Sequence, residues 1–260
     1  MSNDEWITSI RLRLGLPLQF IPYNCECVCS KSNKYQKVDK LGYHFSNCKH
    51  GGERFTTHND ICSHIFTLGR SAGLSGCLEP LLNHASSSRR GDFLFHNPDL
   101  PGVHEFRNSS PTADVIGDVK VSFPCADSYL KQGSHAKEGF TALDAYKKKV
   151  LKYESNNLDL LQGRNLIPIS IESFGRFHPS VKPFIAALCA KAAVISGVSK
   201  SVLCNYWINR ISVSLQKNIA KMMLSRVERI VSKFMPLHST NPSFCVPSSS
   251  DLRHPRIRTS

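Results

Sequence analysis

Three acidic residues and a lysine, each beside a short β-type run, carry the chemistry open to this chain. Glu79 closes the run 74–78, Asp92 opens the run 93–95 within Arg89-Arg90-Gly91-Asp92, and Asp118 and Lys120 lie inside the run 115–121. Side chains alternate along a strand, so Asp118 and Lys120 share a face and Val119 points to the other. Two carboxylates and an ammonium gathered at one sheet edge suit metal-assisted phosphodiester cleavage. The acids hold one or two Mg²⁺, which generate hydroxide and stabilise the leaving oxygen. The lysine orients or deprotonates the water and offsets charge in the transition state. An isolated Asp-x-Lys is common and usually marks a solvated face. The weight rests on acids placed on successive strands, after one helix and before a lysine-rich second one.

A second constellation lies upstream. Of ten cysteines, Cys25, Cys27, Cys29 and Cys48 crowd one stretch, with His44 between them, whereas the other six are scattered. Zinc takes four thiolate or imidazole ligands in a tetrahedron, usually as two pairs supplied by tight turns. Cys27-x-Cys29 forms the first pair and His44-x₃-Cys48 the second, with Cys25 an alternative partner. Four protein ligands leave no open position, so this zinc is structural, shaping a nucleic-acid contact.

Composition narrows the partners. The 260 residues are 41% hydrophobic, enough for a sizeable core, and 33 Lys and Arg against 20 Asp and Glu give a net charge of +13. A surplus of that size favours polyanions, nucleic acid first among them. No apolar run approaches the roughly 18–20 residues of a membrane span. The start, Met1-Ser2-Asn3-Asp4-Glu5-Trp6, lacks the basic-then-apolar layout of a signal peptide, so a soluble, intracellular protein is expected. No Gly-rich phosphate loop or Gly-x-Ser-x-Gly elbow is present, which leaves nucleotide hydrolysis and serine hydrolase chemistry without support.

The elements that must position these residues follow from periodicity. Residues 1–22 read as a short apolar and basic lead-in ended by Pro17 and Pro22, and 23–56 as a metal-held knuckle. Ile61, Ile65, Phe66 and Leu68 recur at helical spacing over 58–72, with Gly73 as the stop. Three short strands follow, with 97–113 as a long connection between the second and third. A helix over 134–153 carries Lys147, Lys148, Lys149 and Lys152, and Leu166–Ile171 reads as a buried central strand. Helices over 181–195 and 202–234 complete the fold, and the tail 236–260 is basic and expected to be disordered. The resulting order is α/β around a small mixed sheet. His58, at the start of its helix, is expected to cap or pack. Glu172 either accepts a bond from Lys149 or Lys152 or faces water. His135, Lys137, Lys147 and Lys148 can line a DNA groove through phosphate contacts.

The order of these motifs resembles the C-terminal region of non-LTR retrotransposon proteins, where a zinc knuckle precedes a restriction-like endonuclease of the PD-(D/E)xK superfamily. The resemblance runs from Arg11-Leu-Arg-Leu-Gly15 through Cys-x-Cys, Gly42-Tyr-His44, Cys48, Thr57-His-Asn59, Ala72-Gly73 and Glu79-Pro80. It continues through Arg90-Gly-Asp92, Asp118-Val119, Lys149-x-x-Lys152-Tyr153 and Ile171-Glu172-Ser-Phe-Gly175, covering about residues 10–176. It implies a restriction-endonuclease-like core over 57–178, with the CCHC-type knuckle in front and C-terminal helices over 179–235 behind. Cys27, Cys29, His44 and Cys48 match the zinc ligands, Asp92 and Asp118 the Mg²⁺-binding acids, and Glu79 an additional acid used by some members. The catalytic lysine is Lys120 by the plain strand pattern, or Lys149 or Lys152 on the next helix as relatives of this branch place it. Arg89, Arg90, Lys147, Lys148 and Lys152 are the accompanying nucleic-acid contacts. Gly91 stands where a proline is expected and Thr57 where an arginine is frequent. The implied activity is Mg²⁺-dependent nicking of target DNA, in the nucleus, in association with a reverse-transcriptase domain and element RNA. The alternative is a zinc-containing nucleic-acid-binding module whose nuclease centre has lapsed.

Overall fold

The computed structural model describes residues 1–28, 35–48, 51–82, 90–100, 113–154, 161 and 163–234. Cys29 and Arg89, much of the connection 97–113 and the tail 236–260 lie outside the described residues.

Helix α1, Asn3–Arg13, occupies much of the apolar and basic lead-in over 1–22. It starts with a capping box: the Ser2 hydroxyl accepts from the Glu5 N–H at 3.2 Å, and the Glu5 carboxylate accepts from the Ser2 N–H at 2.8 Å. Acidic Asp4 and Glu5 in its first turn and basic Arg11 and Arg13 in its last complement the helix dipole. Strands β1, Glu26–Val28, and β2, Tyr35–Lys37, pair antiparallel, and the short helix α2, Tyr43–Asn47, follows. Asp39 receives the first N–H groups of α2, from Tyr43 at 3.0 Å and His44 at 2.8 Å.

The body of the chain runs α3 (Glu53–Ser71), β3 (Gly76–Leu78), β4 (Phe93–Phe95), β5 (Val115–Ser122), α4 (Asp127–Leu130), α5 (Phe140–Glu154) and β6 (Asn165–Glu172), followed by α6 (Val181–Ser196) and α7 (Lys200–Phe234). The sheet order is β3-β4-β5-β6: the first three strands form an antiparallel meander, and β6 joins β5 in parallel. The protein is therefore mixed α/β, with a small mixed sheet flanked by helices. Strand β6 lies at the sheet edge rather than at its centre, and Pro168, which cannot donate to a ladder, suits that place. It still reads as a continuous apolar run because it is buried throughout, with helices against both faces.

Alternation along the strands sorts the two faces. Phe93, Phe95, Val115, Val119, Ile167, Ile169 and Ile171 join the large core with α3, α6 and α7. Leu94, Ile116 and Leu166 meet Tyr153 of α5 on the other side. Glycine is required where Phe93 crosses β5: a Cβ on Gly117 would lie 1.9 Å from the Phe93 ring. That aromatic-over-glycine contact accompanies the register Phe93↔Gly117, which sets Asp92 beside the middle of β5.

The helix expected over 134–153 starts later. Residues 131–139 are turns, with Gly133 and Gly139 at positive φ, and α5 begins at Phe140. Its first turn is capped from the sheet: Glu172 Oε1 accepts from the Thr141 N–H at 3.1 Å, the Thr141 hydroxyl at 2.9 Å and the Ala142 N–H at 3.3 Å. Glu172 thus neither pairs with the lysines nor faces water; it is buried as a helix cap.

Helix α7, 35 residues long, packs on α1, α2, α3 and α6. Its stripe of Trp207, Ile211, Leu215, Ile219, Met223 and Val227 is buried, as the spacing predicts. Because three donors would lose a buried charged acceptor, Glu172→Ala is expected to cost about 1–3 kcal/mol of stability, measured by urea unfolding. Thr141→Ala is expected to cost less, since it removes one donor and leaves the carboxylate with two.

Candidate metal and nucleic-acid site

Asp118 is the most enclosed group of the site, 3% exposed on β5. Its neighbours come from one helix. Lys149 Nζ contacts Oδ1, Lys152 Nζ lies 3.3 Å from Oδ2, and the Tyr153 hydroxyl donates to Oδ2 at 3.0 Å. The spacing Lys-x₂-Lys-Tyr puts all three side chains on one face of α5, three or four residues apart. Burial, with the Asp118 carboxylate beside it, pushes the Tyr153 phenol well above its ordinary pKa, so it acts as a donor only.

Asp92 sits one strand away, immediately before β4. Its Oδ2 accepts from the Val119 N–H at 2.5 Å and lies 3.0 Å from His58 Nε2. Since Val119 follows Asp118 on β5, Asp92 lies beside the stretch of β5 that carries Asp118. His58 comes from the second turn of α3 and does not cap it; its Nδ1 faces Asn59 Oδ1 at 3.1 Å, so both ring nitrogens meet oxygen. Cys62, one helical turn on, places its sulfur 3.7 Å from His58 Nδ1 and 3.9 Å from Nε2.

The hydrogen bond to Asp92, then that to Cys62, raises the His58 pKa far above the ordinary imidazole value. Burial works to raise that of Asp92, but His58, the Val119 N–H and Lys149 outweigh it and the net shift is downward.

Lys120 shares the Asp118 face of β5, as alternation predicts, but extends into solvent at the mouth of a cavity of about 510 Å³. Arg54, Thr57 and His58 of α3 and Ser122 also line this cavity. Partial burial of the ammonium, together with Arg54 and Lys149, lowers its pKa against the opposing pull of Asp118. Glu79 lies outside the group: its side chain is 69% exposed and pairs with Arg90 at 4.0 Å, although its N–H bonds the Asp92 carbonyl at 3.0 Å. Lys147 and Lys148 are exposed, Lys148 pairing with Asp144 at 2.7 Å.

The knuckle residues form a separate buried group. Cys27 Sγ and Cys48 Sγ are 3.8 Å apart, and with a ring nitrogen of His44 they lie within 4.8 Å of one another. His44 Nε2 is buried without a hydrogen-bond partner, an arrangement that favours a metal ligand over a packed histidine. Cys25 is buried nearby, its thiol pKa raised by burial. Arg226 of α7, also buried, donates to the Phe45 and Cys48 carbonyls, the latter at 3.1 Å, and so fixes the backbone of the second pair.

Of the residues singled out from sequence, the fold unites Asp92, Asp118, Lys149 and Lys152 at one place and Cys27, His44 and Cys48 at another. Cys62 enters the first group without a role assigned from sequence, Tyr153 enters it from the Lys149-x-x-Lys152-Tyr153 motif as a donor to Asp118, and His58 enters it as an ion-pair partner. Tyr153 has a signal in its distance from Lys149; Cys62 has one in lying four residues after a histidine.

The Asp92–His58 pair has a defined pH signature. A raised His58 pKa adds stability that is complete below the ordinary value of 6.5 and declines as pH rises towards the elevated folded value. A lowered Asp92 pKa adds stability that is complete above the ordinary value of 3.8 and is lost as pH falls through the folded one. NMR titration of the His58 ring in the metal-free protein is therefore expected to show no midpoint near 6.5, whereas in Asp92→Asn the midpoint drops by more than one unit.

Among the described residues no helix is long and apolar enough to cross a membrane. Neither the scan against known protein families nor the search of curated proteins finds a match for this chain.

Proposed function

We propose that this protein is a Mg²⁺-dependent DNA endonuclease that nicks target DNA by phosphodiester hydrolysis, of the PD-(D/E)xK kind carried beside a zinc knuckle in non-LTR retrotransposon proteins. The observation that carries the reading is the meeting of Asp92 and Asp118, from neighbouring strands, with Lys149 from the following helix. The order α3-β3-β4-β5-α4-α5-β6, a meander with a parallel fourth strand, supports a restriction-like core.

Asp92 and Asp118 supply the oxygen donors that Mg²⁺ requires. When bound, the ion supplies Lewis-acid polarisation of the phosphate and lowers the pKa of water. His58 and the Val119 N–H hold Asp92 in position. Lys149, rather than Lys120, is the lysine at the reacting centre, where its ammonium orients water and offsets charge on the phosphoryl oxygens. Lys120 and Arg54 at the cavity, with Arg90, Lys147 and Lys148, meet backbone phosphates independently of sequence. Glu79 has no part in this set.

Cys27, His44 and Cys48 hold a structural Zn²⁺; the resemblance makes Cys29 the fourth ligand, with Cys25 its alternative. The partnerless His44 Nε2 supports this assignment. Target DNA, element RNA and a reverse-transcriptase domain as partners, and work in the nucleus, follow from the resemblance.

One observation favours a second reading, a nucleic-acid-binding module with a lapsed centre: the protein's own cations already engage both carboxylates, Asp92 through His58 and Asp118 through Lys149 and Lys152. Supercoiled plasmid with Mg²⁺ separates the two. Wild type is expected to produce nicked circles, Asp92→Ala and Asp118→Ala only background, and Lys149→Met a loss of about 10²–10⁴-fold, with retardation of DNA in gels retained. Binding without nicking, alike in all four proteins, selects the second reading. For the knuckle, metal analysis is expected to find one zinc per chain that His44→Ala and Cys48→Ser lose, with a lower Tm after chelation. A zinc content unchanged in both variants removes the assignment.

A further inference from the structure

We propose that His58, Cys62 and Asp92 form a second metal site, for a thiophilic divalent cation such as Zn²⁺, and that filling it withdraws Asp92 from hydrolysis. The site is distinct from the knuckle and shares one carboxylate with the proposed hydrolytic group; only its effect on catalysis rests on the endonuclease reading.

His58 and Cys62 stand at i and i+4 on α3, so both side chains leave the same face of the helix. Asp92 reaches that face from the start of β4. One donor atom from each of the three lies within 4.8 Å of the other two. Ordinary zinc bond lengths set the spacing that ligands must have around a tetrahedral ion: about 3.3 Å between nitrogen and oxygen and about 3.6 Å between sulfur and nitrogen. The structure has 3.0 Å from His58 Nε2 to Asp92 Oδ2 and 3.9 Å from Cys62 Sγ to His58 Nε2. These two edges lie within about 0.3 Å of the tetrahedral values, and the third, from Cys62 Sγ to Asp92, is no longer than 4.8 Å.

The donor set chooses the ion. Imidazole nitrogen and thiolate sulfur suit Zn²⁺, Co²⁺ and their neighbours, whereas Mg²⁺ takes oxygen ligands. Binding forms bonds from the ion to Nε2, Sγ and a carboxylate oxygen, and releases the thiol proton and one imidazole proton to solvent. Three protein ligands leave a fourth position open to water or a phosphate oxygen. The cavity that His58 lines with Arg54 and Lys120 supplies the route for the ion. Occupation replaces the His58–Asp92 ion pair by two metal bonds, so an oxygen of Asp92 needed for Mg²⁺ is held by the wrong cation.

The test uses the purified protein with its resident metal retained, titrated with Co²⁺ in the absence of DNA. Wild type is expected to develop the near-ultraviolet band of cobalt–thiolate charge transfer on adding one further equivalent, and Cys62→Ser and His58→Gln are not. An identical spectrum in wild type and Cys62→Ser overturns the site. Circular dichroism of each variant accompanies the titration, and should Cys62→Ser fail to fold, His58→Gln decides. The effect on catalysis is read separately, as the ratio of Mg²⁺-dependent plasmid nicking with and without Zn²⁺ in each protein. The ratio is expected to fall about tenfold in wild type once the site is some ninety per cent filled, and to stay near one in Cys62→Ser. Equal zinc sensitivity in the two proteins overturns the inhibitory role. Absence of nicking in every protein counts against the endonuclease reading alone, because the cobalt titration still decides the site.

Discussion

A buried carboxylate in the middle of a strand is costly unless cations and donors come to it. Asp118 is such a group, and the way its demand is met organises this half of the molecule. Helix α5 lies across β5 and β6 with its Lys149-x₂-Lys152-Tyr153 face inward, and its two lysines make the ion pairs to that carboxylate found among the described residues. At its other end, Glu172 at the close of β6 receives the first N–H groups of α5. Two acidic side chains from adjacent parallel strands therefore clasp one helix, one through its backbone and one through its side chains. Apolar packing on that face is modest, a cluster built around Leu82, Leu94, Ile116 and Tyr153. The polar clasp sets the position of the helix; the apolar contacts fill the space beneath it.

On the opposite face, the helix carrying His58 approaches the sheet through aromatic packing. Phe66 of α3 stacks on Phe95 at 5.6 Å, and a Cβ on Gly69 would come within 2.1 Å of the same ring, so the absence of a side chain there lets the helix settle close. That closeness brings His58 to Asp92. The candidate centre thus lies where two helices, one on each face of the sheet, approach the start of β4 and the middle of β5. Each carboxylate there is balanced by a cation from a different helix.

Much of this was legible in the chain. Alternation places Asp118 and Lys120 on one face of a strand, the helical stripe of α7 marks core positions that are buried, and the crowding of Cys27, Cys48 and His44 marks a metal-type cluster. The failures have physical causes. Ser2-x-x-Glu5 is a capping signature, but α1 carries so weak an apolar stripe that periodicity alone passes over it. The turn over 131–139 depends on Gly133 and Gly139 at positive φ, which interrupt what composition presents as one helix. An apolar run such as Ile167–Ile171 reports burial of both faces, and burial does not distinguish a central strand from an edge strand covered by helices. Glu172 takes its role from Thr141, 31 residues away in the chain, and Tyr153 meets Asp118 from 35 residues away, separations that local patterns do not bridge.

Helix α7 is the last element among the described residues yet supplies contacts to the first. The Ser9 hydroxyl donates to the Gln216 carbonyl across 207 positions of sequence, and the buried Arg226 holds the backbone of the knuckle from 178 positions beyond Cys48. Contacts of such separation make folding slow and delay completion of the core until the last helix is present. During synthesis, at about 5–20 residues per second, the N-terminal helix and the cysteine-rich segment emerge well before their covering helix. For that interval of many seconds their apolar surfaces and thiols are open to solvent, to stray metals and to chaperones. The final third of the chain therefore acts as a folding clamp, and it decides when the first third stops being an unfinished surface.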